Sequence, residues 1–282
     1  MKLLNKIILI GAALGFTNSV YASCTAGSAA TLGDTWAGAN TYDLYQGTCN
    51  GGSNVSSGTG TSGGFMVDGV SIKVSAWSDT GGGGSDDIIE SADIAGPWLS
   101  NGEVGYGILN DDENNFDNHA NAHTIDNQGS AADYDMLLFS FSEAVSLSGA
   151  TFSWLGSTNN QQVTAVGLNN ITDLTSGNKT WSNINGSSSL VDKGSFSINA
   201  AAGVYKSDFT TTQAAQYWLV GAYNTAFGYV SGFTTKDDSF KLASIGFVKE
   251  TTPPTDNVNA PNSFAVLLLG GGLIALRRRK AK

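Results

Sequence analysis

Apolar and polar residues alternate with a period of two through much of the middle of the chain. Val70, Ile72, Val74 and Ala76 alternate with Ser71, Lys73 and Ser75, the pattern of a strand with one buried face. Met136-Leu137-Leu138-Phe139-Ser140-Phe141 is a short apolar run suited to a central strand. Val145 and Leu147 alternate, Gly149 interrupts, and Phe152 and Trp154 resume the pattern. Residues 217–223 predict another strand, as do Phe240-Lys241-Leu242 and Ile245-Gly246-Phe247. In the last pair the apolar phase slips by one at Ala243-Ser244, which predicts a β-bulge. No long stretch carries a helical period of 3.6. Short strands between Gly, Asn and Asp turns predict an all-β fold, a β-sandwich of jelly-roll-like kind over residues 65–250.

Composition agrees. Of 282 residues, 13% are charged and 36 are Gly, which excludes coiled coils and long helical bundles. Apolar residues at 41%, with six Trp, nine Tyr and thirteen Phe, exclude a disordered chain. The net charge of −10 hides an uneven distribution. Seven of the fourteen basic residues sit at the extreme ends; the body keeps seven Lys, no Arg and all 24 acidic residues, so 7 − 24 = −17. So acidic a body repels phosphate backbones, and nucleic acid is excluded as a partner.

The two ends read as addresses. Lys2 and Lys6 form a positive n-region, residues 7–16 an apolar h-region, and Val20-Tyr21-Ala22 a small-residue cleavage site before Ser23. Residues 1–22 are thus expected to be a signal peptide cut between Ala22 and Ser23. A lipoprotein reading would acylate Cys24, but Tyr21 replaces the Leu usual in such signals and the second cysteine needs a partner. In an oxidising compartment Cys24 and Cys49 are expected to form one structural disulfide. Residues 23–64 then comprise this disulfide loop and a Gly/Ser-rich connector, low in complexity over 50–64.

At the other end, a polar linker over 251–259 precedes Ala260-Pro261-Asn262-Ser263, an apolar run over 264–276 and Arg277-Arg278-Arg279-Lys280. Thirteen helical residues span about 20 Å against a hydrocarbon core of about 30 Å, a weak and transient hook in the inner membrane. The basic cluster should stay cytoplasmic and leave the body outside. Residues 260–282 resemble the PEP-CTERM class of sorting signals, which exosortase membrane enzymes of Gram-negative bacteria recognise. Ala260-Pro261-Asn262-Ser263 stands where Pro-Glu-Pro is usual. The resemblance implies an exosortase-type processing partner, cleavage near Ala260–Pro261, and transfer to the cell surface or extracellular matrix. The alternative is a plain C-terminal membrane anchor.

No Lys or Arg occurs between Ser75 and Gly177, and thirteen acidic residues fall between Asp79 and Asp135. Asp111, Asp112, Glu113 and Asp117 are the densest group, hard oxygen ligands of the kind calcium takes. The spacing is not that of an EF-hand; a solvated acidic loop is the alternative, and Asp86 with Asp87 is a weaker second candidate. No cofactor is required, and calcium is the one ion suggested. His119 and His123 are four apart but lack the Glu of a zinc hydrolase motif, so hydrogen bonding is their expected role.

A second resemblance rests on Val74-Ser75-Ala76-Trp77-Ser78-Asp79-Thr80-Gly81, Gly105-Tyr106-Gly107-Ile108-Leu109-Asn110, His123-Thr124-Ile125-Asp126-Asn127 and Asp135-Met136-Leu137-Leu138-Phe139-Ser140-Phe141. These look like the exosortase-dependent surface proteins that carry such tails, which implies an extracellular surface protein and no particular reaction. Gly60-Thr61-Ser62-Gly63-Gly64 fits a nucleophile-elbow pattern but lies in the connector, without the strand–turn–helix it needs. No catalytic residue is assigned, and the chain is read as a non-enzymatic structural or adhesive protein. It is expected to be retained in an extracellular polysaccharide matrix; the alternative is a carbohydrate-binding surface module, with calcium as the one ion it would use. Trp154 and Trp218 fall inside strand patterns and are expected in the core; Trp98 and Trp181 sit beside turn residues and are the candidate sugar-stacking faces.

Overall fold

A computed structural model describes residues 36, 39–45, 55–56, 58, 61–80, 86–100, 103–110, 123–128, 133–201, 204–211 and 213–250. The strands are β1 (Asn40–Asp43), β2 (Ser62–Val67), β3 (Val70–Ser78), β4 (Glu90–Ser100), β5 (Glu103–Leu109), β6 (Ile125–Asp126) and β7 (Met136–Leu155). They continue as β8 (Gln162–Leu168), β9 (Leu190–Ser197), β10 (Asn199–Ala201), β11 (Val204–Asp208), β12 (Ala215–Ala222) and β13 (Ser239–Lys249). One short helix, α1 (Trp181–Asn185), lies between β8 and β9. The all-β expectation holds.

The strands do not separate into two stacked sheets. They form one sheet in the order β1-β13-β5-β4-β3-β7-β12-β8-β9, and an added β7–β13 pairing closes β13, β5, β4, β3 and β7 into a five-stranded ring. All five pairings are antiparallel. A ring of wholly antiparallel neighbours closes only with an even number of members, so one strand must change direction. That strand is β7. Its first half pairs with β3 up to Phe141, and its second half pairs with β13 from Val145 onward. The corner falls at Ser142 and Glu143, the two exposed residues of β7. The sequence pattern there predicts separate pieces with a break at Gly149, but the strand runs through Gly149, which pairs with Gly246.

Strand β3 shows the expected alternation, with Val70, Ile72, Val74 and Ala76 buried. The run in β7 is apolar on both faces because both are covered. Leu137, Phe139 and Phe141 point into the barrel core, while Met136 and Leu138 join an outer cluster with Leu219, Val166, Leu168, Trp181, Ile184 and Phe227. A bulge in β13 falls between Leu242 and Ser244, where the phase slip predicts it.

The folded body also reaches beyond the expected boundary at residue 65. Strand β1 pairs with β13 from Asn40↔Phe247 to Asp43↔Ser244, and Tyr42 and Leu44 are wholly buried. Ahead of β1, the Trp36 indole lies on the backbone of Gly149 and Gly246, donates to Asp208 Oδ1 at 2.8 Å, and has Lys206 Nζ 5.2 Å from its ring centre. A Cβ on Gly246 would overlap the indole ring. Gly246→Ala is therefore expected to lower stability by about 1–3 kcal/mol, since overpacking displaces the indole. Calorimetry should show this penalty shrinking in a Trp36→Ala background.

Candidate functional site

Six segments end together at one end of the barrel. Ser78 ends β3 and Asp79 follows it, Asn110 follows β5, Tyr134 and Asp135 precede β7, Tyr223 and Asn224 follow β12, and Asp238 precedes β13, with β6 among them. Strand ends leave backbone groups without ladder partners, and short polar side chains supply them. Asn110 Nδ2 donates to Ser78 Oγ at 3.3 Å and to Asp135 Oδ1 at 3.1 Å. The Asp126 N–H donates to Asp135 Oδ2 at 3.3 Å, and Thr124 Oγ1 donates to Asp126 Oδ2 at 2.6 Å. Asn127 Nδ2 donates to Asp238 Oδ2 at 2.9 Å and to the Tyr223 carbonyl at 2.8 Å. In return the Asp238 N–H donates to Asn127 Oδ1 at 2.9 Å, and the Gln162 N–H donates to Asp238 Oδ1 at 2.6 Å. The Tyr134 N–H donates to Asp79 Oδ1.

Burial dominates the electrostatics. It pushes the Asp79 carboxyl up to about 8, against the opposing pull of the Tyr134 N–H and the nearby Trp181 indole, with Asp133 adding to the rise. The indole N–H stops short of hydrogen-bond geometry, so Asp79 Oδ2 and Trp181 Nε1 are both buried without a hydrogen-bond partner. Asp238 is pushed up to about 7 by burial, opposed by the Gln162 N–H and Asn127. Burial also raises Asp126, opposed by Thr124, Gln128 and the charge of Lys241. Burial thus favours the protonated form of Asp79, Asp126 and Asp238. Among the described residues, no group of three or more His, Cys, Asp or Glu side chains could hold a metal.

Lys241 links this end to the outer face. Its side chain is 2% exposed. Nζ donates to the His123 carbonyl at 3.3 Å and lies 5.1 Å from the centre of the Trp98 ring. Gly107 makes room for that arrangement, since a Cβ there would overlap the His123 carbonyl. His123 itself sits at φ 61°, in the left-handed region.

Trp98 is 38% exposed, beside Leu99 at 75%, near the end of β4. Trp181 corrects its expectation as a sugar-stacking face: it is fully buried. The turn residues around it build α1, where Thr180 and Asn183 form a capping box. Trp181 and Ile184, three apart on that single turn, both face the outer cluster, and the Trp181 ring lies 6.0 Å from Phe227. Trp218 is buried as expected, and Trp77 and Trp154 are half-buried. Asp86 serves α1, accepting from Thr180 Oγ1 at 3.0 Å and from the Ser182 N–H at 3.1 Å. A polar groove of about 420 Å³ runs beside this helix, lined by Asp173, Lys179, Ser182 and Asn183.

The calcium candidates Asp111, Asp112, Glu113 and Asp117, together with His119, lie outside the described residues. So do the Ala22–Ser23 cleavage site, the Cys24–Cys49 pair, Ala260, Pro261, Asn262 and Ser263, and the basic cluster Arg277, Arg278, Arg279 and Lys280. What the sequence left unseen is the network of Asp79, Asn127, Asp135 and Asp238. The signal available was their position flanking apolar runs; Asn127 and Asp238, 111 residues apart, carry no local sign of being paired. The four segments quoted for the surface-protein resemblance nonetheless meet here, through Ser78, Asn110, Asp126 and Asp135. Comparison with protein-family models, with curated proteins and with solved structures finds no match.

A carboxyl whose value is raised in the fold binds its proton more tightly there than in the unfolded chain. Stability is therefore fully present below about pH 4 and is lost as the pH rises through the folded values of about 7 and 8. Each such group removes up to roughly 1.4 kcal/mol per pH unit inside its window. Urea denaturation is expected to show lower stability at pH 8.5 than at pH 5. Asp79→Asn, which keeps the acceptor for Tyr134, should flatten the profile.

Proposed function

We propose that the chain is an exported protein of the cell surface or extracellular matrix with a structural or adhesive, non-enzymatic role, delivered by its signal peptide and cut by an exosortase-type enzyme. The observation that supports this reading is how the last described strand is paired. The last described strand, β13, ends at Lys249 and is paired to β1, so the body's first and last strands brace one another. The linker over 251–259 and the tail over 260–282 come after that brace. Cleavage near Ala260–Pro261 would take away no strand of the ring. No helix among the described residues is long and apolar enough to cross a membrane, and in this reading the transient membrane contact belongs to 264–276.

Trp98 favours a second reading, a carbohydrate-binding surface module. An indole with one side over Lys241 and the ring partly exposed is a pre-oriented surface on which a sugar's apolar face can stack.

Mass spectrometry of the surface form is expected to find a chain beginning at Ser23 and lacking Arg277 to Lys282; an intact tail in inner-membrane fractions would reject sorting. On a glycan array, binding that disappears in Trp98→Ala would establish the second reading. An array with no bound polysaccharide would leave the structural role.

A further inference from the structure

The groove beside α1 lies outside the network at the barrel end and holds polar side-chain atoms that the fold does not engage. Its volume of about 420 Å³ falls within the range of small-ligand sites, about 300–1,000 Å³. One wall carries Asp173, just ahead of the 3₁₀ turn Leu174–Ser176, and the other is α1 with the turn that follows it. Leu174 from the first wall and Trp181 and Ile184 from the second are buried in the same outer cluster. The Lys179 carbonyl, on the segment between the walls, accepts the Ile89 N–H at 2.8 Å. Asp86 accepts from Thr180 and from the Ser182 N–H, which fixes the start of the helix. Both walls are thus set by packing and by main-chain contacts, which preorganises the groove.

The lining side chains keep bonding capacity directed outward. Asn183 Oδ1 accepts the Thr180 N–H at 3.2 Å, which orients the amide and leaves Nδ2 as a donor without a partner among the described residues. The Ser182 and Ser188 hydroxyls, the Asp173 carboxylate and the Lys179 ammonium likewise have no hydrogen-bond or ion-pair partner among the described residues. Asp173 and Lys179 are both half-buried in the lining and do not pair with each other. The groove therefore offers a group that only accepts, groups that only donate and hydroxyls that do both, with no net charge. We infer that it binds a neutral saccharide, whose hydroxyls donate to Asp173 and accept from Lys179 and Asn183 Nδ2. A sugar hydroxyl both donates and accepts, so one ligand type satisfies the whole lining, whereas an anion or a cation would meet a like charge at one wall. Bonds to the two charged groups are the stronger ones and set the sugar's orientation. No aromatic ring lines the groove, since Trp181 is buried beneath α1. Binding rests on polar contacts that exchange with water and is expected to be weak, about millimolar. The ligand class is that of the carbohydrate-binding reading, but the residues are others than Trp98, so the two sites stand or fall separately.

The test is a titration of the full chain with glucose, galactose, mannose and cellobiose, with glycine as a zwitterionic control, followed by amide chemical shifts. At least one sugar is expected to shift the amides of residues 173–188 saturably. Asp173→Asn and Lys179→Met should each weaken that binding by about tenfold and leave the melting temperature unchanged, because neither side chain holds another part of the fold. Ser182→Ala carries the comparison if a charged variant does not fold. Trp98→Ala should bind as the parent does. No saturable shift in this segment with any of the four sugars would overturn the site, as would shifts that Asp173→Asn and Lys179→Met both retain. Shifts lost only in Trp98→Ala would place the sugar on that indole instead, and binding of glycine alone would overturn the ligand class.

Discussion

Closure of the barrel depends on β7 serving two neighbours in two directions. Five antiparallel strands cannot close while each keeps a single direction, and the corner after Phe141 resolves the conflict. The first half of β7 is a central strand between β3 and β12. Its second half is braced by β13 and β11. Because one strand belongs to both parts, its inward residues feed one core: Phe139 from the first half and Phe152 from the second lie in the same cluster. The opposite face of the first half would be wet in an open sheet. Here the segment carrying α1 and the 3₁₀ turn Thr225–Phe227 covers it, which gives Trp181, Leu174 and Phe227 a place to be buried.

Closing a barrel removes sheet edges along the strands but leaves polar backbone at the ends. One end is filled by carboxyl and amide side chains that join loops distant in sequence. Asp135 binds the loop after β5 to β6, and Asp238 binds β6 to β8 and β12 through Asn127, Gln162 and Tyr223. The carboxylates have few charged partners, so their burial shows as raised proton affinity. Lys241 supplies one charge. Its buried ammonium opposes the rise at Asp126 and lies against Trp98. Cation–π contacts of this kind contribute about 0.5–2 kcal/mol, and this one couples the orientation of a surface indole to the packing of the barrel end.

The pairing of β1 with β13 gives the functional proposal its mechanical sense. Under that proposal, removing a leader or a tail would take away no described strand, since the first and last of these pair with each other.

Strand periodicity was readable in β3, where one face is buried and the other more exposed, and the first half of β7 was readable as an unbroken apolar run. The slip at Ala243-Ser244 marked its bulge because a bulge must shift the phase of inward residues. Other elements were silent. Strand β8 is buried at every position, so it carries no alternation, and β9 is half-buried on most positions for the opposite reason. Trp181 was misread because one helical turn is too short to show a period. The chain's own pattern thus determined an all-β body, its bulge and the charge of its middle, since these follow from local chemistry. Ring closure, the corner in β7 and the pairing of Asn127 with Asp238 were decided by tertiary structure alone, because each joins residues whose neighbours in sequence say nothing of their neighbours in space.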